Sequence, residues 1–177
     1  MEERLQGNPV SEGIAYAKSY IYIPGTLTKA PDFFPKGQEE EKYREFRESC
    51  EKADSELVTL YNGMCKEDPD KAKIFSAHRE LLQDEEILDE IRETICEENM
   101  NPDSAVSKVY TEFAELLAGV EDPLIAERAA DLRDVRDRLL RILSGQETSK
   151  LSSFSEDVIL VAHDLLPSDT ATMDRKH

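Results

Sequence analysis

The segment that most constrains the fold is residues 122–145, DPLIAERAADLRDVRDRLLRILSG, because it is the longest stretch with one clear periodicity. Asp122 can cap a helix, Pro123 suits its first turn, and Gly145 is placed to end it. Apolar residues recur at mostly three- and four-residue steps, namely Leu124, Ala129, Leu132, Val135, Leu139 and Ile142. This spacing predicts an amphipathic helix that packs along one face. Most of its charges fall off that stripe and are expected to face solvent, namely Arg128, Asp131, Arg133, Asp134, Arg136 and Asp137.

Helical periodicity of the same kind fills the chain before this segment. Apolar side chains step by three and four from Glu39 to Met64, which predicts a long helix. Asp68 and Asp84 are placed as caps of two further helices, and Asn101 with Pro102 opens another that Gly119 ends. The links are short, which favours antiparallel neighbours. Residues 37–144 are therefore predicted to form an up-and-down bundle of four or five helices.

The two ends of the sequence have a different texture. Residues 7–24 combine turn residues with a rough alternation of apolar side chains, which predicts one or two strands, and VILVA at 158–162 predicts a buried strand. Pro167 and the residues after it resemble a strand-to-helix turn. A lone central strand cannot satisfy its own hydrogen bonds. We expect it to pair with the N-terminal strand, with further strands supplied by residues outside this sequence. The predicted fold class is therefore α+β and mostly helical, with the bundle inserted in an incomplete α/β subdomain of residues 1–36 and 145–177.

Charge and composition narrow the classes of partner. There are 39 acidic and 22 basic residues, for a net charge of −17, so nucleic acid and anionic membranes are not expected partners, and a basic protein is. No apolar run is long enough for a membrane span and no signal peptide is evident, which predicts a cytoplasmic protein. The three cysteines and three histidines are scattered, so neither a metal site nor a catalytic cluster is predicted.

Four segments together resemble a known family, and they occur in order over nearly the whole chain. They are PVSEGIAYAK (9–18), AHRELLQDEEILDEI (77–91), ERAADLRDVRDRLLRIL (127–143) and VILVAHDLLPSDTA (158–171). Together they resemble the N-terminal domain of enzyme I of the bacterial phosphoenolpyruvate:sugar phosphotransferase system. The resemblance implies a helical subdomain inserted into a swivelling α/β subdomain that carries a phosphorylated histidine. It also implies a reaction, in which phosphate passes from phosphoenolpyruvate to that histidine and then to the small carrier protein HPr for sugar uptake.

The resemblance further implies which residues would dock HPr on the helical subdomain: Lys71, Phe75, His78, Leu81, Leu82, Asp84, Glu85, Glu86, Ile87, Tyr110 and Arg128. It assigns Arg128 to the neighbourhood of the transferred phosphate. Acidic residues at a helix start can attract a basic partner, an exposed Leu81–Leu82 pair would supply an apolar centre, and an arginine fork matches phosphate oxygens. The alternative is structural. In that case Asp84 only caps a helix, the two leucines belong to the core, and Arg128 pairs with Glu127 or Asp131.

The sequence also departs from the family pattern. The phosphorylated histidine lies in a GG-x-TSH motif that this sequence does not contain, and His78, His163 and His177 do not match it. The chain alone is therefore expected to bind HPr without catalysing the transfer, and no cofactor or metal is expected in it. The resemblance implies magnesium and phosphoenolpyruvate only through a C-terminal domain. Leu166 stands where the family usually has Thr, and Glu12 where it has Pro. These departures leave open a non-catalytic interaction or regulatory homologue of the bundle.

Overall fold

The computed structural model describes residues 11–22, 32–145, 154, 156–162, 165 and 167–173. Two short strands flank a run of five long helices, and a short helix follows the second strand. In chain order the elements are β1 (Lys18–Tyr22), α1 (Glu39–Met64), α2 (Pro69–Leu82), α3 (Glu85–Cys96), α4 (Pro102–Ala118), α5 (Pro123–Leu143), β2 (Val158–Ala162) and α6 (Pro167–Thr172).

Side-chain caps start three of the helices where the sequence predicts them. The carboxylate of Asp68 accepts from the backbone N–H groups of Asp70 and Lys71 at the start of α2. Asp84 does the same for α3, and Asp122 accepts from the N–H of Leu124 at the start of α5. These caps satisfy N–H groups that have no partner within the helix. At the other end of α5, Gly145 adopts a φ of +66°, a conformation that favours glycine.

The five long helices enclose one apolar core, as the sequence predicts. Helix α4 packs along α5, α1 packs against α2 and α5, and α3 packs against α4. The largest fully buried apolar side chains come from all five helices: Phe46, Leu57, Phe75, Leu82, Ile91, Ile95, Val106, Tyr110, Leu132 and Leu139. None of the helices in the described ranges is long and apolar enough to cross a membrane.

The strands pair with each other, as expected from the need to satisfy their backbone groups, but the expected burial of β2 is wrong, because Ile159 and Val161 are 38% and 47% exposed. β1 and β2 run parallel, with a register from Lys18 opposite Val158 to Tyr22 opposite Ala162. A parallel pair needs a long crossover, and here the whole helical bundle lies between the two strands along the chain. The Tyr22 hydroxyl donates to the carboxylate of Asp169 on α6 at 3.3 Å. The exact boundaries proposed for the two subdomains stay a prediction.

Helix α5 departs from its sequence-based description at two places. Leu124 was expected in the buried stripe, but 75% of it is exposed, whereas Ala129, Leu132, Val135 and Leu139 are buried. Leu124 lies on the same side of α5 as Val135, because eleven residues bring an α-helix to within about 20° of its starting direction. At the first turns of α5, the face that is buried further along the helix therefore extends beyond the neighbouring helices.

Buried charge is the second departure. Asp134 was expected to face solvent, but it is buried, and so is Arg138 one turn further along the helix. Both lie on the edge of the apolar stripe, where α5 is covered by α1 and α2 rather than by water. Periodicity alone does not show whether such edge positions are buried. Here the neighbouring helices cover a wider face of α5 than the apolar stripe predicts.

Two leucines on α5 provide a matched test of where its apolar face stops being buried. Replacing buried Leu139 by Ala should lower the free energy of unfolding by about 2–5 kcal/mol, because it removes buried methyl groups and leaves a cavity. The same change at exposed Leu124 should alter it by no more than about 0.5 kcal/mol. Urea denaturation of the full chain measures both, and equal losses at the two positions would contradict the packing described here.

Candidate functional site

The residues implied as a docking surface come from four helices that meet in the bundle. Helix α2 carries the first five, α3 and its cap carry the next four, and α4 and α5 carry one each. In that order they are Lys71, Phe75, His78, Leu81 and Leu82, then Asp84, Glu85, Glu86 and Ile87, then Tyr110, and Arg128. The structure separates them into a buried group and an accessible group.

Five of these side chains are buried: Phe75, His78, Leu82, Ile87 and Tyr110. Four of them belong to the main apolar core, and His78 lies beside it with its ring edge-on to Phe75. Direct contact with a partner is not available to them in this conformation, so the implied surface is corrected here to exclude them. The expected exposed leucine pair is corrected as well, since Leu82 is in the core and Leu81 is half-buried. Their remaining role is to support the surface from beneath.

The accessible group is mainly charged. Asp84, Glu85 and Glu86 are exposed at the start of α3, where the Asp84 carboxylate accepts from the N–H groups of Glu86 and Ile87 at 3.0 and 3.2 Å. Capping occupies one oxygen of Asp84, while Glu85 and Glu86 form no ion pair with any described residue. Lys71 is exposed and lies 3.1 Å from Asp68 in a surface pair of the weak kind. The start of α3 therefore presents a compact negative charge.

Arg128 is exposed on α5 and its guanidinium forms no ion pair with any residue that the structure describes. The structural alternative, a pair with Glu127 or Asp131, is therefore not formed. The Asp131 carboxylate instead lies 3.2 Å from Nε2 of His78 on α2. Arg128 falls on the same side of α5 as Val135, seven residues and about two turns later. Its charge thus lies on an uncovered continuation of the core face.

Exposed apolar side chains next to Arg128 were missed by the sequence reasoning. They lie at the tip formed by the end of α4 and the start of α5, namely Leu116, Val120, Leu124 and Ile125. We call these four residues the apolar tip. Irregular spacing was the sequence signal that could have indicated their exposure. The step from Leu124 to Ala129 is five residues, and Leu116 lies off the inward face of α4 that carries Phe113 and Leu117. Contiguous exposed apolar groups beside charge are typical of protein interfaces.

A buried polar cluster joins α2 to α5. Nε2 of the His78 ring lies 3.2 Å from Asp131, and Nδ1 lies 3.6 Å from the Asp134 carboxylate. Burial raises the pKa of Asp134, and this outweighs the lowering by nearby His78 and Arg138. The Arg138 guanidinium donates to Glu56 on α1 at 2.8 Å, and Arg141 pairs with the same carboxylate. Three helices are thus connected by charged groups as well as by the apolar core.

No site for a metal is evident in these ranges. Among the described residues, no group of three or more His, Cys, Asp or Glu side chains could hold a metal ion. His163, Leu166 and His177 lie outside the described residues, while Glu12 is exposed ahead of β1.

Comparison with known proteins gives consistent results. A family profile described as "PEP-utilising enzyme, N-terminal" matches residues 6–128. The chain is 36% identical to a phosphoenolpyruvate-protein phosphotransferase of Priestia megaterium over 99% of its length, and 35% identical to that of Bacillus subtilis over 98%. It spans 30% of the length of each of these relatives.

Solved structures agree with the sequence matches. A solution NMR structure of enzyme I superimposes with a TM-score of 0.77 at 34% identity, covering 89% of this chain and 64% of that one. The N-terminal domain of an "Enzyme 1 - Nitrogen" protein superimposes with a TM-score of 0.67 at 23% identity, covering 90% and 65%. The second match supports the fold alone.

The buried carboxyl of Asp134 should make stability depend on pH. Because its pKa is raised in the folded state, the unfolded chain releases this proton first as pH rises. The contribution of Asp134 to stability is therefore full below the ordinary aspartate pKa of 3.8 and decreases as pH rises toward its folded pKa. Denaturation over a pH series should show this decrease in the wild type but not in Asp134→Asn. Asp137→Asn, at a half-exposed position on the same helix, should retain it. A decrease that persists unchanged in Asp134→Asn would contradict the assignment.

Proposed function

The chain belongs to the family of PEP-utilising enzymes, as their N-terminal part, and we propose that it forms the docking surface for the phosphocarrier protein HPr. Its relatives are named phosphoenolpyruvate-protein phosphotransferases, and the chain corresponds to about 30% of their length. We propose the same reaction for the protein that contains it, with phosphate passing from phosphoenolpyruvate through a histidine to HPr. This chain would contribute partner recognition. The proposed partner and reaction imply a cytoplasmic location.

The charge of the surface fits a basic partner. Asp84, Glu85 and Glu86 are exposed together at the start of α3, in a chain whose net charge is −17. Charges at the rim of an interface mainly steer association and set its orientation rather than add affinity. We infer that this acidic group attracts a positive patch on HPr and fixes its approach.

Affinity would come from exposed apolar groups elsewhere on the bundle. The apolar tip exposes Leu116, Val120, Leu124 and Ile125, and half-buried Leu81 adds to the accessible apolar area of α2. Desolvated apolar side chains at the centre of an interface usually carry most of its binding energy. The rigid core beneath, which includes Phe75 and Tyr110, would keep this surface preorganised.

The observation that carries the proposal is the exposed guanidinium of Arg128, which pairs with no residue in the described part of the chain. An arginine left without an acidic partner among the described residues, in a chain with 39 acidic side chains, retains its full capacity to bind an anion. Its planar fork matches two phosphate oxygens. We propose that Arg128 faces the phosphate carried between the two histidines while HPr rests on the apolar tip.

An NMR titration tests the docking surface directly. Adding unlabelled HPr to the ¹⁵N-labelled chain should shift the amides of Glu85, Glu86 and Leu124 and the side-chain Nε–H of Arg128. Residues at the opposite end of α5, such as Ser144 and Gly145, should not shift. An unchanged spectrum at millimolar HPr would refute docking, and shifts confined to other helices would move the interface elsewhere.

Charge reversal tests the steering role of the acidic group. Glu85→Lys together with Glu86→Lys should slow association about tenfold at low salt and reduce its dependence on ionic strength, because the local field changes sign. Glu40→Lys with Glu41→Lys makes the same change in net charge on the exposed first turn of α1 and should have a smaller effect. Stopped-flow measurements give both rates. Equal slowing by the two variants would show that only the net charge matters.

A further inference from the structure

The strongest unexplained feature is the buried polar cluster between α2 and α5. His78 is completely buried, and Asp134 and Arg138 are 2% and 5% exposed. Nδ1 of His78, both carboxylate oxygens of Asp134, and Nε and Nη2 of Arg138 form no hydrogen bond with any described residue. Polar groups so placed cost free energy, and packing alone does not account for them.

The contacts around the cluster place His78 between two carboxylates. Arg138 and Arg141 both pair with Glu56 on α1, and Arg136 pairs with Asp137, whereas His78 is the ion-pair partner of Asp134 among the described residues. The nearer carboxylate oxygen of Asp134, Oδ2, faces Nδ1 of His78. Their separation of 3.6 Å exceeds a hydrogen bond by roughly 0.5 Å.

We propose that Asp134 is a positioning residue that keeps Arg128 free: its carboxylate faces Nδ1 and orients the His78 ring so that Nε2 holds Asp131 away from Arg128. The Nε2 atom of His78 lies 3.2 Å from Oδ1 of Asp131, within hydrogen-bond distance. The functional part of this inference rests on the proposed docking of HPr.

The geometry of α5 explains why Asp131 needs to be held. Arg128 and Asp131 are three residues apart on one helix, a spacing at which opposite charges commonly pair. Asp131 is half-exposed and could reach the guanidinium once released from the ring. The pair would neutralise Arg128 and reduce its attraction for phosphate. Asp134 acts at a distance, through His78 and then Asp131, and touches neither partner nor phosphate.

Variants at Asp134 test the proposal in the full chain. Asp134→Asn keeps the shape and a polar group facing Nδ1, so it should preserve the ring orientation and HPr affinity within about twofold. Asp134→Ala removes the polar group that faces Nδ1, so the ring should lose its orientation, Asp131 should turn to Arg128, and HPr affinity should fall about three- to tenfold. The Asp131→Asn and Asp134→Ala double variant should bind like Asp131→Asn alone, because the side chain that is released toward Arg128 no longer carries a charge.

Two NMR signals, recorded without HPr, separate this inference from the proposed function. The ¹⁵N shifts of the His78 ring and of Arg128 Nε should change in Asp134→Ala and not in Asp134→Asn or in the control Asp137→Asn. Unchanged signals in Asp134→Ala would overturn the positioning role. A loss of affinity that persists in the double variant would also overturn it, since a general weakening of the fold would not be reversed at Asp131. If the wild type fails to bind HPr, docking is refuted, while the two signals still decide whether Asp134 positions His78 and Asp131.

Discussion

Burial of one face of α5 is the constraint on which the rest of the structure depends. Its central turns bring Leu132, Val135 and Leu139 against α4 and α1, while its edge presents Asp134 and Arg138 to α2 and α1. A helix that is covered on so many sides cannot shift along its axis without breaking both kinds of contact. Helix α2 and the first turn of α3 are positioned relative to α5 as a result.

Most of the helical bundle could be predicted because its signals are local. Asp68, Asp84 and Asp122 cap helices through contacts within three residues, so the sequence around each one is sufficient to identify the start. The pairing of β2 with β1 could also be inferred, because an apolar strand requires a partner and the other predicted strand lies near the N-terminus, whereas the parallel direction of the pair was not predicted. These inferences needed no knowledge of tertiary contacts.

The candidate site was less predictable, because exposure depends on what covers each face. Leu124 and Val135 occupy the same side of α5, yet one is exposed and the other is in the core. On α2, the three- and four-residue steps that link Phe75, His78 and Leu82 indicate an inward face as readily as a docking face. The family resemblance implied that these residues form a docking surface, but it did not indicate how deeply each side chain is buried. Only the packing of four helices separates the residues that can touch a partner from those that support them.

The length of α5 beyond its covering helices connects these observations. Where α5 is covered, its face stabilises the bundle, and where it extends further, the same face carries Leu124 and Arg128 into solvent. An exposed arginine on such a face would ordinarily be paired by the nearest carboxylate, which here belongs to Asp131. The contact between Asp131 and His78 removes that competitor, at the boundary between the covered and uncovered turns. The contacts of the buried turns of α5 therefore determine whether the guanidinium of Arg128, on its exposed turns, is free to bind an anion.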